Sequence, residues 1–120
     1  MSLIHTETSF DIAVIGAGAS GTLVAAQFER LAPVHARMVL IGSQVHPARG
    51  IAYDTPYQAN LLNVPAGNMS AFPDDMGHFT RWLAKHLPGS SAATFAPRNL
   101  YGDYLLNIFM KLRKYSEKVD

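Results

Sequence analysis

The sequence predicts an α/β fold with a parallel sheet, and three observations carry that expectation. Ile12, Ala13, Val14 and Ile15 form a short apolar run. Gly16, Gly18 and Gly21 follow at once in G-x-G-x-x-G spacing. A helical stretch and a second apolar run, Arg37–Ile41, come next, so strand, helix and strand fit in about 30 residues. An apolar run of this length bounded by glycine suits a strand buried on both faces.

The glycines give the unit a Rossmann-like character. Gly16 permits a tight turn, Gly18 admits a pyrophosphate close to the backbone, and Gly21 lets the helix pack on the strand. The loop Gly16, Ala17, Gly18, Ala19, Ser20 and Gly21 is therefore the expected phosphate site, its anion resting on free N–H groups at a helix N-terminus. Glycines also cluster in plain turns, and the flanking strand and helix are the context that favours the dinucleotide reading.

Ser20–Leu31 reads as the helix, with Val24, Phe28 and Leu31 on its inner face and Gln27, Glu29 and Arg30 toward water. Pro33 stops it. Where the second strand ends, an acidic residue would normally accept hydrogen bonds from the adenosine ribose, but Gly42 and Ser43 stand there. Ser43 or Gln44 is left to serve the ribose with a weaker, neutral contact. A carboxylate supplied at position 42 is expected to tighten binding by roughly 1.5–3 kcal/mol. The missing acid also removes a repulsion of a 2′-phosphate, although no arginine lies close by in sequence.

Between Gly42 and Asp75 no periodicity persists, and prolines and glycines interrupt any regular element. Ile51, Tyr53, Leu61, Leu62, Val64, Met69 and Phe72 make the stretch too apolar for a solvated coil. It reads as a loop folded over a large ligand, or packed only on its own protein. Asp75 is the expected cap of a helix over Gly77–His86 with an apolar stripe of Phe79, Trp82, Leu83 and Leu87, ended by Pro88-Gly89. Thr94-Phe95 reads as a short strand. Asn99 is the expected cap of a last helix with Tyr101, Tyr104, Leu105, Ile108 and Leu112 on one face.

Composition bounds the rest. The chain has 120 residues, 48% hydrophobic and 16% charged, which amounts to one globular domain at most. A net charge of +1 gives no electrostatic case for nucleic acid or an acidic membrane surface. The absence of cysteine excludes disulfides and thiolate metal sites, and the histidines lack ligand spacing, so no metal is expected. No apolar run approaches the roughly 18 residues of a membrane span, and the start of the chain lacks signal-peptide character. A cytoplasmic protein is expected, with residues 1–9 a flexible leader, 10–112 the domain and 113–120 a basic, solvated tail.

The pieces GAGASG (Gly16–Gly21), ARGIAYDT (Ala48–Thr55), LLNVPAGNMSAFPDD (Leu61–Asp75), FTRWL (Phe79–Leu83) and PRNLYGDYL (Pro97–Leu105) together resemble the N-terminal part of the bacterial FAD/NAD(P)-binding proteins related to flavin-dependent hydroxylases and monooxygenases. The resemblance spans nearly all of Phe10–Leu105. It implies FAD, with its ADP half on Gly16, Gly18 and Gly21, and with Arg49, Gly50, Asn63 and Val64 along the cofactor toward the flavin. The family's glutamate after the second strand would fall at Gly42 and is not carried over.

The same resemblance implies a longer protein, with an NAD(P)H fingerprint and a closing strand that this chain does not contain. The domain is accordingly expected to be incomplete, to perform no turnover alone and to expose a strand edge open to homo-oligomerisation. A non-catalytic nucleotide-binding remnant or an interaction module is the alternative. No general acid or base stands out, which suits chemistry carried by a cofactor.

Overall fold

The computed structural model describes residues 7–43 and 46–120. The expected leader, 1–9, lies largely outside them, as does Gln44. The chain runs β1 (Ile12–Ile15), α1 (Ala19–Leu31), β2 (Met38–Ile41), the short helix α2 (Gly50–Tyr53), a 3-10 turn at Ala66–Asn68, α3 (His78–His86) and α4 (Arg98–Tyr115). β1 and β2 pair in parallel, Ile12 opposite Met38 through Ile15 opposite Ile41. Among the described residues the result is a mixed α/β fold with a two-stranded parallel sheet and four α-helices. None of the helices among the described residues is long and apolar enough to cross a membrane.

α1 buries a different face from the one the sequence suggests. Its buried residues are Gly21, Thr22, Ala25 and Ala26, whereas Val24 is half exposed and Leu31 is 81% exposed. Small side chains let α4 approach closely, so the helix turns that face to its partner. Val24, Phe28 and Leu31 instead line a shallow depression with Ile12 and Met38. This lies on the flank of β1 that no strand covers among the described residues, where Ile15 is 86% exposed.

α4 carries the core. Tyr101, Tyr104, Leu105, Ile108 and Leu112 are all buried, as their spacing predicts. Phe79 and Leu83 of α3 meet them, with Phe79 edge-on to Tyr101. Neither expected cap holds. α3 starts after Gly77, and the Asp75 carboxylate is drawn to Arg81 at 2.5 Å. α4 starts after Pro97, whose fixed φ suits a helix entry, so Asn99 lies inside the first turn. No strand forms at Thr94-Phe95; its backbone bonds the 3-10 turn through Ala66 N–H to the Thr94 carbonyl, 2.8 Å.

The reading of 113–120 as a solvated tail is also corrected. α4 persists to Tyr115, and the backbone then lies along the outer side of β2. Met38 N–H bonds the Lys118 carbonyl at 2.7 Å, and Leu40 N–H bonds the Asp120 carbonyl at 2.8 Å. Val119 is buried. The Lys118 ammonium donates to the carbonyls of Glu29 and Ala32, 3.0 and 2.8 Å, closing the C-terminal end of α1 where a cation is favoured. The "tail" lysine is a cap.

The long loop packs on its own protein. Ala48, Leu62, Ala66, Ala71 and Phe72 are buried. Gln27 donates to the Ala71 carbonyl at 2.6 Å, and Arg30 lies over the Phe72 ring while pairing with Asp74. The fully buried Tyr104 hydroxyl accepts from Ala71 N–H at 3.0 Å and is 2.7 Å from His78 Nδ1. The hydroxyl proton is best placed by donating to that nitrogen, which requires a neutral imidazole.

Burial lowers the His78 pKa below its ordinary 6.5; Asp75 opposes this, while Arg81, Arg30 and Lys111 add to it. The unfolded chain therefore takes up a proton that the fold refuses, and stability is expected to fall as pH drops below about 6.5. A urea titration at pH 7.5 and 5.5 checks this. His78→Asn, which keeps an acceptor near Nδ1 but does not titrate, should flatten the profile. An unchanged slope would assign the pH dependence to other groups.

Candidate functional site

β1 is not buried on both faces as the sequence suggests, since Ile12, Ala13 and Ile15 are exposed and β2 is the one strand beside it among the described residues. The turn that ends it is fixed by backbone alone. Gly16 sits at φ +111°, a conformation that side chains rarely adopt, and its N–H bonds the Ile41 carbonyl at 2.7 Å. A Cβ on Gly21 would overlap the Gly16 carbonyl oxygen and press the Leu40 side chain. The third glycine thus lets α1 start directly on the strand.

Gly18 is the N-cap of α1. No side chain caps this end and no acidic residue stands in the first turn. Among the described residues no side chain accepts from the first-turn N–H groups, the arrangement that suits an anionic oxygen.

The chain crosses this end a second time at Ala48-Arg49-Gly50. Ala48 N–H bonds the Ala17 carbonyl at 2.7 Å. A Cβ on Gly18 would come within 3.3 Å of Gly50 Cα. Ala48 and Gly50 both hold positive φ, +71° and +61°. For a buried alanine this costs about 1–2 kcal/mol, so the surrounding packing enforces it. Two positive-φ residues, Gly16 and Gly50, thus border one space, with Ala48 just behind Arg49.

That space is a cavity of about 740 Å³, lined on its polar side by Gly16, Gly18, Ala19, Ser20, Gly21, Arg49 and Gly50. Tyr53 and Tyr101, edge-on at 4.8 Å between ring centroids, and the exposed Ile15 and Ile51 form its apolar side. Arg49 forms an ion pair with Asp103 and reaches the Asn99 carbonyl at 3.4 Å. Burial pushes the Tyr101 phenol upward, so it stays a neutral wall at physiological pH.

A second cavity, about 290 Å³, opens at the carboxyl end of β2. Ala17, Leu40, Gly42, Ser43, Phe109, Leu112 and Arg113 border it, together with Ser116, Val119 and Asp120. The structure therefore brings Gly16, Gly18, Ala19, Ser20, Gly21, Arg49 and Gly50 to the first cavity and Ala17 and Ser43 to the second. Asn63 and Val64 line neither; Asn63 is exposed and Val64 half-buried.

The sequence reading overlooked the α4 residues that hold Arg49. A Cβ on Gly102 would fall 2.6 Å from the Tyr53 carbonyl and 2.7 Å from Arg49 Nη1, so only glycine lets α2 and Arg49 lie across α4. A glycine inside a helical pattern is the signal, since it costs about 1 kcal/mol against alanine unless something must pass closely. Asp103 is the next residue and supplies the carboxylate.

A parallel strand, a glycine turn and an uncapped helix opening on one cavity place this chain in the class of nucleotide-binding α/β segments. The family model described as FAD-NAD(P)-binding matches residues 13–120, and the chain belongs to that family. A flavin or nicotinamide dinucleotide is accordingly the cofactor class of this oxidoreductase-type segment. No curated protein and no solved structure gave a significant match.

Proposed function

We propose that this chain is the cofactor-holding segment of a flavin-dependent oxidoreductase of monooxygenase type, with the ADP half of the dinucleotide across the two cavities. The observation that carries it is the uncapped first turn of α1 opening on the cavity that Arg49 and Gly50 close. The residues present fit such a group: free N–H donors for the pyrophosphate, a guanidinium beside them, and a second cavity at the end of β2 for the adenosine.

In this reading Gly16–Gly21 binds the pyrophosphate and Arg49 exchanges part of its contact with Asp103 for a phosphate oxygen. Tyr53 and Tyr101 keep water from the apolar side. Asn63 and Val64 would act only further along the cofactor. When bound, the cofactor supplies the hydride and electron chemistry, and the protein supplies orientation.

The resemblance of the five motifs favours FAD. A specific feature, Gly42 where a ribose-binding carboxylate would stand, favours a second reading in which the same site holds a nicotinamide dinucleotide.

Gly18→Val tests the site common to both. Its side chain would enter the space between α1 and Gly50, so affinity for ADP-ribose by calorimetry should fall at least tenfold, with the helical circular dichroism retained. Unchanged affinity would remove the glycine loop from the site. Visible flavin absorption of the purified protein separates the FAD reading from the nicotinamide one.

A further inference from the structure

A third cavity, about 250 Å³, lies away from the glycine loop, where the C-terminal half of α1 meets α4, Phe72 and the start of α3. It shares no lining residue with the glycine-loop cavity; Leu112 and Ser116 border both it and the space at the end of β2. Its floor is apolar and buried, made by Ala26, Phe72, Ile108 and Leu112. An apolar cavity of roughly 150 Å³ takes up benzene, so this one has room for a ring and a polar group beside it.

The charges on its wall separate into two ends. Burial comes first in disfavouring a His78 imidazolium, and the charges of Arg81, Arg30 and Lys111 add to it against Asp75. All but one of these neighbours are engaged. Asp75 and Arg81 pair at 2.5 Å, Arg30 pairs with Asp74 at 2.8 Å, and the Tyr104 hydroxyl is 2.7 Å from the imidazole. Lys111 is exposed, and among the described residues no carboxylate pairs with it and no hydrogen bond engages it.

Glu29 is the lining residue with a carboxylate, and it belongs to the other end. The Ser116 hydroxyl holds it, next to the Lys118 amide, and its charge is not among those acting on His78. The His78 end therefore presents a positive wall with one uncommitted ammonium over an apolar floor.

We propose that this cavity is a second ligand site, independent of the dinucleotide, for a small monocarboxylate with a compact ring, the ring seated on Phe72, Ile108 and Leu112 and the carboxylate on Lys111. One lysine suits one carboxylate, as a point charge that its flexible stem can bring over the floor. The ring exchanges water for apolar surface, and the partly enclosed wall leaves the ion pair less screened than open solvent would. A second negative charge on the ligand would find no further uncommitted cation in the lining, because Asp74 takes Arg30 and Glu29 repels from the other end. The ligand is therefore a monoanion.

NMR titration of the 120-residue protein with phenylacetate and with the neutral phenylacetamide, at low salt and millimolar ligand, tests it. The His78 ring signals, assigned with His78→Asn, report on the site. Phenylacetate should bind about fivefold more tightly than the amide, the size of one partly exposed ion pair. It should also move the His78 titration upward, since a bound anion offsets the cations that oppose the imidazolium. Lys111→Gln should bring the two probes within about twofold of each other, and Glu29→Gln should widen the preference. Lys111 is exposed, so its variant should keep the parent thermal midpoint.

Equal affinities for the two probes, or binding that leaves His78 unmoved, would overturn the assignment. So would a preference that survives Lys111→Gln, or no binding of either probe. None of these outcomes touches the glycine loop, whose own test is ADP-ribose.

Discussion

Gly21→Ala is expected to cost this fold at least about 3 kcal/mol, more than the 1–3 kcal/mol typical of an overpacked side chain. The obstacle is not a rotatable group. The added carbon would meet the carbonyl oxygen of Gly16, whose own N–H is fastened to the end of β2, so relief requires α1 to lift off β1. Lifting α1 would also open its small-residue contact with α4, through Ala25 and Ala26. For a small domain with about 5–15 kcal/mol of total stability, that is a large share.

Gly16→Ala is the useful comparison. Nothing lies within 4 Å of the position its Cβ would take, so its cost is confined to the φ of +111° and should be the smaller of the two. Urea midpoints of both variants against the parent decide it. A Gly21→Ala protein that unfolds at the parent midpoint would mean that helix and strand are not in contact there.

What could be read from the sequence was whatever periodicity or local chemistry expresses. Ile12–Ile15 and the last four residues of Arg37–Ile41 pair as parallel strands because apolar runs bounded by glycine have few other uses. The five-residue stripe of α4 is buried as its spacing requires. Caps were less legible. Asp75 had a competing partner in Arg81, four residues past the helix N-cap, and charge pairing took the carboxylate away from the backbone. The burying face of α1 was misjudged for a related reason: a hydrophobic stripe says which residues favour burial, while the neighbour that comes closest selects the small ones.

Long-range placement was the least legible. Lys118 capping α1 and Asp103 holding Arg49 are each set by how α4 packs on α1 and α2, and no local pattern encodes that packing. Only Gly102 leaves a trace in the sequence, as a glycine where a helix would prefer alanine.

Gly42→Glu brings sequence and structure into direct conflict. The sequence, seeing an absent ribose acceptor, expects the new carboxylate to strengthen nucleotide binding. The structure expects the opposite. Before the carboxylate can reach anything, its Cβ must occupy space 2.6 Å from both the nitrogen and the Cβ of Ala17. Ala17 cannot step aside cheaply, because its carbonyl accepts from Ala48 N–H and the preceding Gly16 N–H is bound to the Ile41 carbonyl. Moving it displaces the phosphate loop and the strained Ala48-Arg49-Gly50 crossing together. Stability should drop by about 1–3 kcal/mol, and affinity for ADP-ribose should fall rather than rise. Gly42→Ala separates the two causes, since it adds the carbon without the charge and should reproduce most of the loss in urea midpoint. If Gly42→Glu instead binds ADP-ribose more tightly at an unchanged midpoint, Ala17 yields to the new side chain, and the ribose has gained the acid that the sequence reading found missing.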